Sequence, residues 1–197
     1  MYLRIFSILT CLFCFFSFCA VANDPHTVDD FNVLILSLKN GDVVIRLRPD
    51  LAPKHVAQIK NLTKEGAYNN VVFHRVIPGF MAQTGDVKFG KKGSVDFDPK
   101  HVGMGGSHYP NIPAEFSKQP FKRGTVGMAR SEDPNSANSQ FFICFDDATF
   151  LNGQYTVVGE VIKGMDVVDK IKKGITSNNG SVTNPDVIHA ATLQANR

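Results

Sequence analysis

Two apolar runs, FNVLILSL at 31–38 and VVIRL at 43–47, flank the polar break Lys39-Asn40-Gly41-Asp42. This pattern predicts a β-hairpin, and Asn40-Gly41 suits a type I′ turn. From Pro53 the apolar spacing lengthens. Val56, Ile59 and Leu62 share one helical face, Pro53 fits the first helical position and Gly66 can end the element. A second helix is predicted over 164–173, with Met165, Val168 and Ile171 on one face and Gly174 as its stop. The remaining apolar segments are short and β-like: VVFHRV, GTVGMA, SQFFICF, YTVVGEV and DVIHAATL. Two helices among many short strands predict a mainly β domain, a closed or nearly closed antiparallel barrel capped by helices. Residues 87–117 break the rhythm with five glycines and three prolines and are expected to form a long irregular surface loop.

The first residues carry a different pattern. Arg4 precedes an apolar run from Ile5 to Phe18, then Ala20-Val21-Ala22 and polar NDPHTVDD. This is the layout of a secretory signal peptide over 1–22, cut after Ala22, with a short tail at 23–30 before a domain at 31–197. Cleavage removes Cys11, Cys14 and Cys19, so Cys144 alone remains and the mature domain has no internal disulfide. The formal charge of +3 falls to +2 when Arg4 leaves with the leader. So small and dispersed a charge gives no support to a nucleic-acid surface, and nothing points to a stable membrane association after cleavage.

Several motifs fall away on inspection. GDVKFGKK at 85–92 approaches a phosphate loop, but Lys92 stands where the magnesium-binding hydroxyl belongs. GMGG at 103–106 lacks the third glycine of a dinucleotide fingerprint. The histidines show no ligand spacing, so no metal or cofactor is expected. Cys144 lies within FFICF and is read as a half-buried structural thiol. In that strand Phe141, Ile143 and Phe145 form one face, suited to the core, and Gln140, Phe142 and Cys144 the other. FHRVIPGFMAQTGD at 73–86 sets one cation, Arg75, among apolar residues, and Phe73 and Arg75 are expected to share a face. A guanidinium in such surroundings is costly unless the site uses it.

FHRVIPGFMAQTGD together with MARSEDPNSANSQFFICFDDATFLNGQYTVVGEV at 128–161 resembles the cyclophilins, peptidyl-prolyl cis-trans isomerases, in their bacterial exported branch. The resemblance implies an eight-stranded antiparallel barrel capped by two helices. It implies a catalytic arginine at Arg75, and an apolar proline pocket of Phe80, Met81, Phe142 and Leu151. Gln83 is then the glutamine that holds the arginine, and Gln140 a second groove glutamine. Ala129 and Arg130 match positions whose backbone holds the peptide, with Arg130 where eukaryotic members commonly have asparagine. Gly103 matches a glycine of the neighbouring pocket. Phe150 stands for the usual tryptophan and Tyr155 for the groove histidine, a departure expected to weaken cyclosporin binding.

The expected function is therefore acceleration of X-Pro bond rotation in unfolded or nascent exported polypeptides, by a monomer. The alternative is a proline-segment chaperone or assembly module with little turnover. Periplasm is expected rather than secretion or an endoplasmic-reticulum lumen, because LQANR at the C-terminus is no retention signal.

Overall fold

The computed structural model describes residues 32–194. The predicted leader and the tail at 23–30 lie outside the described residues. The chain runs β1 (Val33–Leu38), β2 (Gly41–Leu47), α1 (Pro53–Lys64), β3 (Val71–Val72), β4 (Arg75–Ile77), β5 (Met81–Thr84), β6 (Thr125–Met128) and β7 (Phe141–Cys144). A 3-10 turn at Thr149–Leu151 leads to β8 (Val157–Lys163), α2 (Met165–Asp169), β9 (Val187–Ile188) and β10 (Ala190–Gln194). Eight strands form one curled sheet in the order β10-β1-β2-β8-β6-β7-β5-β4, antiparallel throughout. The fold is the mainly β, two-helix architecture expected. Its ladder stops at β10 and β4 instead of closing. The outer side of β4 is met by irregular chain, with Val76 N–H donating to Gly180 O and Gly174 N–H to Val76 O. That segment cannot run as a strand, because Asn179, Gly180 and Asn184 all have positive φ.

Alternation within the central strands feeds two separate apolar clusters. Phe141, Ile143 and Phe145 enter the main core with Leu36, Ile45, Ile59 and Val126. Phe142 and Cys144 enter a second cluster on the opposite side, with Met81, Phe121, Leu151 and Val157. That second cluster is the floor of the site described below. Cys144 is fully buried rather than half-buried, and burial pushes its thiol up to about 12, which leaves it inert.

Helix α1 starts at Pro53 as predicted, and its Ala52 cap supplies no side-chain acceptor. The exposed N–H groups are met from the long loop. Glu115 accepts from the backbone N–H of Lys54 and of His55, each at 3.1 Å. A carboxylate at a helix N-terminus is favourable for both dipole and hydrogen bonding. Three local expectations change. The hairpin turns on Lys39–Asn40, since Leu38 pairs with Gly41, and only Gly41 has positive φ. Without two consecutive residues at positive φ it is not a type I′ turn. Helix α2 covers Met165–Asp169 rather than 164–173. VVFHRV is two strands, not one: β3 pairs with β9 and β4 with β5. The break at Phe73–His74 sends Phe73 into the core and leaves Arg75 half-buried on the other side, so the two do not share a face.

Candidate active site

Arg75, Gln83, Phe142 and Gly127 lie in one row across four adjacent strands, because Arg75 pairs with Gln83, Gln83 with Phe142 and Phe142 with Gly127. A row across a sheet is fixed by register, and a one-residue slip would turn every member to the other face. Arg75, Gln83 and Phe142 of this row line one side of a cavity of about 360 Å³. Of the twelve residues the sequence singled out, ten line it: Arg75, Phe80, Met81, Gln83, Ala129, Arg130, Phe142, Phe150, Leu151 and Tyr155. Gly103 and Gln140 line an adjoining second cavity instead, which shares Gln83, Ala129 and Arg130 with the first.

The apolar wall is assembled from aromatic contacts. Phe142 packs edge-on to Tyr155 at 6.0 Å between centroids and stacks on Phe121 at 5.8 Å. Phe150 lies 5.2 Å from Phe80 and stands largely exposed at the rim. Gly127 makes room for this wall. A Cβ there would stand 2.5 Å from Phe142 Cζ and 2.6 Å from Phe121 Cε1, closer than such atoms approach.

Arg75 is held from two directions. Its Nη1 donates to Gln83 Oε1 at 3.1 Å. Its Nε donates to Asn179 O at 3.1 Å, and Nη2 to Asn179 Oδ1 at 3.0 Å. All of these acceptors are neutral. Burial lowers the Arg75 pKa from its ordinary value, and the Tyr155 side chain partly offsets the effect. The guanidinium stays protonated at physiological pH.

Behind Arg75 the hydrogen bonds continue. Gln83 Nε2 donates to Gln140 Oε1 at 3.0 Å, and Gln140 Nε2 donates to the carbonyls of Gly103 and Gly105 at 2.9 and 2.8 Å. The N–H groups of those two glycines donate to the buried Asp86 carboxylate at 2.7 and 3.0 Å, and those of Lys88 and Phe89 donate to its other oxygen. The near-phosphate-loop at 85–92 and the GMGG turn thus close on each other around a carboxylate. A Cβ on Gly105 would come 2.3 Å from Asp86 Oδ1, which is why glycine stands there. His74 is buried beneath Gly103, and burial lowers its pKa to about 4 against the opposing pull of Asp86.

Asn179, Gly127, Phe121, Gln154 and Asp86 belong to the site or its support and were not singled out from the sequence. Asp86 ends the motif that carries Arg75, and its acidity among apolar neighbours was the available signal. Asn179 lies 104 residues from its partner, in a polar stretch without periodicity.

The chain belongs to the cyclophilin-type peptidyl-prolyl cis-trans isomerase family, whose model matches residues 33–193. It is a peptidyl-prolyl cis-trans isomerase. A probable peptidyl-prolyl cis-trans isomerase from Brucella suis biovar 1 (strain 1330) is 70% identical over 176 residues, spanning 89% of this chain and 87% of its own length. Among solved structures, the cyclophilin AquaCyp293 from Hirschia baltica superposes with a TM-score of 0.69 at 27% identity, covering 84% of this chain and 75% of that one. A cyclophilin type isomerase of Cryptosporidium parvum, crystallised in the presence of the dipeptide Ala-Pro, gives a TM-score of 0.68 at 25% identity, covering 83% and 99%.

Proposed function

We propose that the first cavity takes the proline ring of an X-Pro bond and that Arg75 stabilises the twisted amide. The observation that carries this is a guanidinium bonded only to neutral acceptors at the edge of an apolar cavity. Among the described residues no carboxylate pairs with it, and its direction is fixed. Resonance in the C–N bond sets a barrier of about 18–20 kcal/mol. Rotation removes that resonance, and the proline nitrogen becomes pyramidal and basic. A donor aimed at that nitrogen binds the twisted form better than the planar one, which lowers the barrier without nucleophile or proton transfer.

One charge-assisted hydrogen bond contributes about 1.5–3 kcal/mol. Shortening tens of seconds to milliseconds requires roughly 5–6 kcal/mol. The balance falls to the apolar wall of Phe80, Met81, Phe142 and Leu151, which clamps the ring, and to the backbone at Ala129 and Arg130, which holds the preceding residue. Arg75→Ala is expected to lose most of kcat/KM while keeping its circular dichroism. Arg75→Lys also falls, because a point charge on a flexible stem does not reproduce a planar fork. Near-normal turnover in either variant removes Arg75 from the mechanism. A variant that still binds proline peptides but no longer turns them over separates catalysis from simple segment binding.

The cellular setting proposed is the periplasm, with proline-containing unfolded or nascent exported chains as substrates. The apolar run at 5–18 followed by Ala20-Val21-Ala22 supports this. N-terminal sequencing of protein recovered from the producing cell is expected to begin at Asn23. An intact Met1 on membrane-bound material overturns it.

A further inference from the structure

Arg130 stands where the proline cavity meets the second one, a polar cleft of about 800 Å³, and lines both. It is fixed in place. Nη1 donates to the carbonyls of Ser131 and Glu132 at 2.8 and 3.2 Å, Nη2 donates to Gln154 O at 3.0 Å, and the guanidinium lies 4.4 Å from the centroid of the Tyr155 ring. Every protein acceptor it meets is a neutral carbonyl. Among the described residues no carboxylate pairs with it, and neither cavity is lined by aspartate or glutamate. Glu132 is exposed and lines neither. The Nε N–H is enclosed without a partner, and one Nη2 hydrogen remains unused.

The polar groups around it are spoken for. Ser107 Oγ donates to Asn138 Oδ1, Ser131 Oγ to Ser136 Oγ, and Gln140 to the Gly103 and Gly105 carbonyls. The groove therefore carries two cations and no anion. Arg75 is committed to the reacting bond, which leaves Arg130 as an immobilised, uncompensated charge beside it. The remaining Nη2 N–H can donate one charge-assisted hydrogen bond to a carboxylate, with the delocalised charge behind it. The side-chain entropy of Arg130 is already spent on the three carbonyls, so a ligand pairing with it does not have to order it.

We propose that Arg130 makes this isomerase selective for substrates with an acidic side chain beside the X-Pro pair, the carboxylate lying in the second cavity against the guanidinium. The proposal rests on the isomerase reading of the same groove and adds the substrate class.

The test uses peptides in which glutamate, glutamine or lysine is walked through the two positions on either side of an Ala-Pro pair. Exchange spectroscopy gives kcat/KM, and fluorescence anisotropy of labelled peptides gives Kd. At low ionic strength the wild type is expected to prefer glutamate over glutamine by about fivefold at one position, with lysine disfavoured there. The preference shrinks as salt rises. In Arg130→Gln the glutamate-to-glutamine ratio drops to about one at that position, whatever happens to the absolute rate. A ratio near one at every position in the wild type, or an unchanged ratio in Arg130→Gln, overturns the proposal. Absence of turnover on every peptide refutes the catalytic reading instead, and the Kd ratios then still decide whether Arg130 selects acidic segments.

Discussion

Asn179 accepts three of the five protein hydrogen bonds that hold the Arg75 guanidinium, and its side chain can be removed cleanly. Its Oδ1 accepts from Arg75 Nη2 at 3.0 Å and from Nε at 3.3 Å, while its backbone carbonyl accepts from Nε at 3.1 Å. Its φ is +49°, a conformation glycine adopts without cost. Asn179→Gly therefore deletes the amide and keeps both the backbone turn and its carbonyl. A hydrogen bond to a charged group contributes about 1.5–3 kcal/mol when dry. Asn179 is exposed, and the low end applies to the two bonds together, because water replaces part of them. A loss of about 1.4 kcal/mol in transition-state stabilisation is roughly tenfold in kcat/KM. That loss is smaller than for Arg75→Ala and falls on kcat, since Asn179 does not line the proline cavity. Asn179→Ala should show the same kinetic loss and a lower melting temperature, because alanine at positive φ costs about 1–2 kcal/mol. Exchange spectroscopy on an Ala-Pro peptide gives the rates, and the Arg75 Nε resonance reports whether the guanidinium has moved. An Asn179→Gly protein within twofold of wild type in kcat/KM, with that resonance unmoved, refutes the idea that Asn179 aims the arginine. A rise in KM at constant kcat would instead place Asn179 against the substrate.

Two further outcomes follow from burial. Gly127→Ala forces a Cβ into the Phe142 and Phe121 rings, so thermal unfolding should reveal a loss of about 1–3 kcal/mol, with weaker peptide binding because Phe142 is the cavity wall. Unchanged stability and unchanged KM would mean that the wall does not depend on that glycine. His74 is neutral in the fold down to about pH 4, whereas in the unfolded chain it takes up a proton below about 6.5. The unfolded state thus binds more protons between these values, and stability present above pH 6.5 is lost as pH falls towards 4, by up to about 3 kcal/mol. Denaturant unfolding of wild type and His74→Gln across this range checks it, and equal pH slopes in the two proteins would rule it out.

The sequence alone determined the parts that depend on local order. The 3.6-residue spacing of Val56, Ile59 and Leu62 after Pro53 makes α1 legible, because helical periodicity is a pattern among near neighbours in the chain. The two faces of FFICF were legible for the same reason, since side-chain direction in a strand alternates whatever the strand pairs with. Most of the groove could be named because its residues sit in two long motifs. Position along a strand still depends on what lies beside it. VVFHRV reads as one strand, yet its halves join different partners, and that break turns Arg75 away from the core that takes Phe73. The clamp on Arg75 comes from Asn179 in a segment without pattern, the cap on α1 comes from Glu115 in the long loop, and Gly127 is explained only by rings from Phe142 and Phe121. Each of these is a contact between residues distant in sequence. Hydrophobic periodicity records which face is buried and carries no record of which distant polar group arrives to satisfy a donor, so only the tertiary structure decides it.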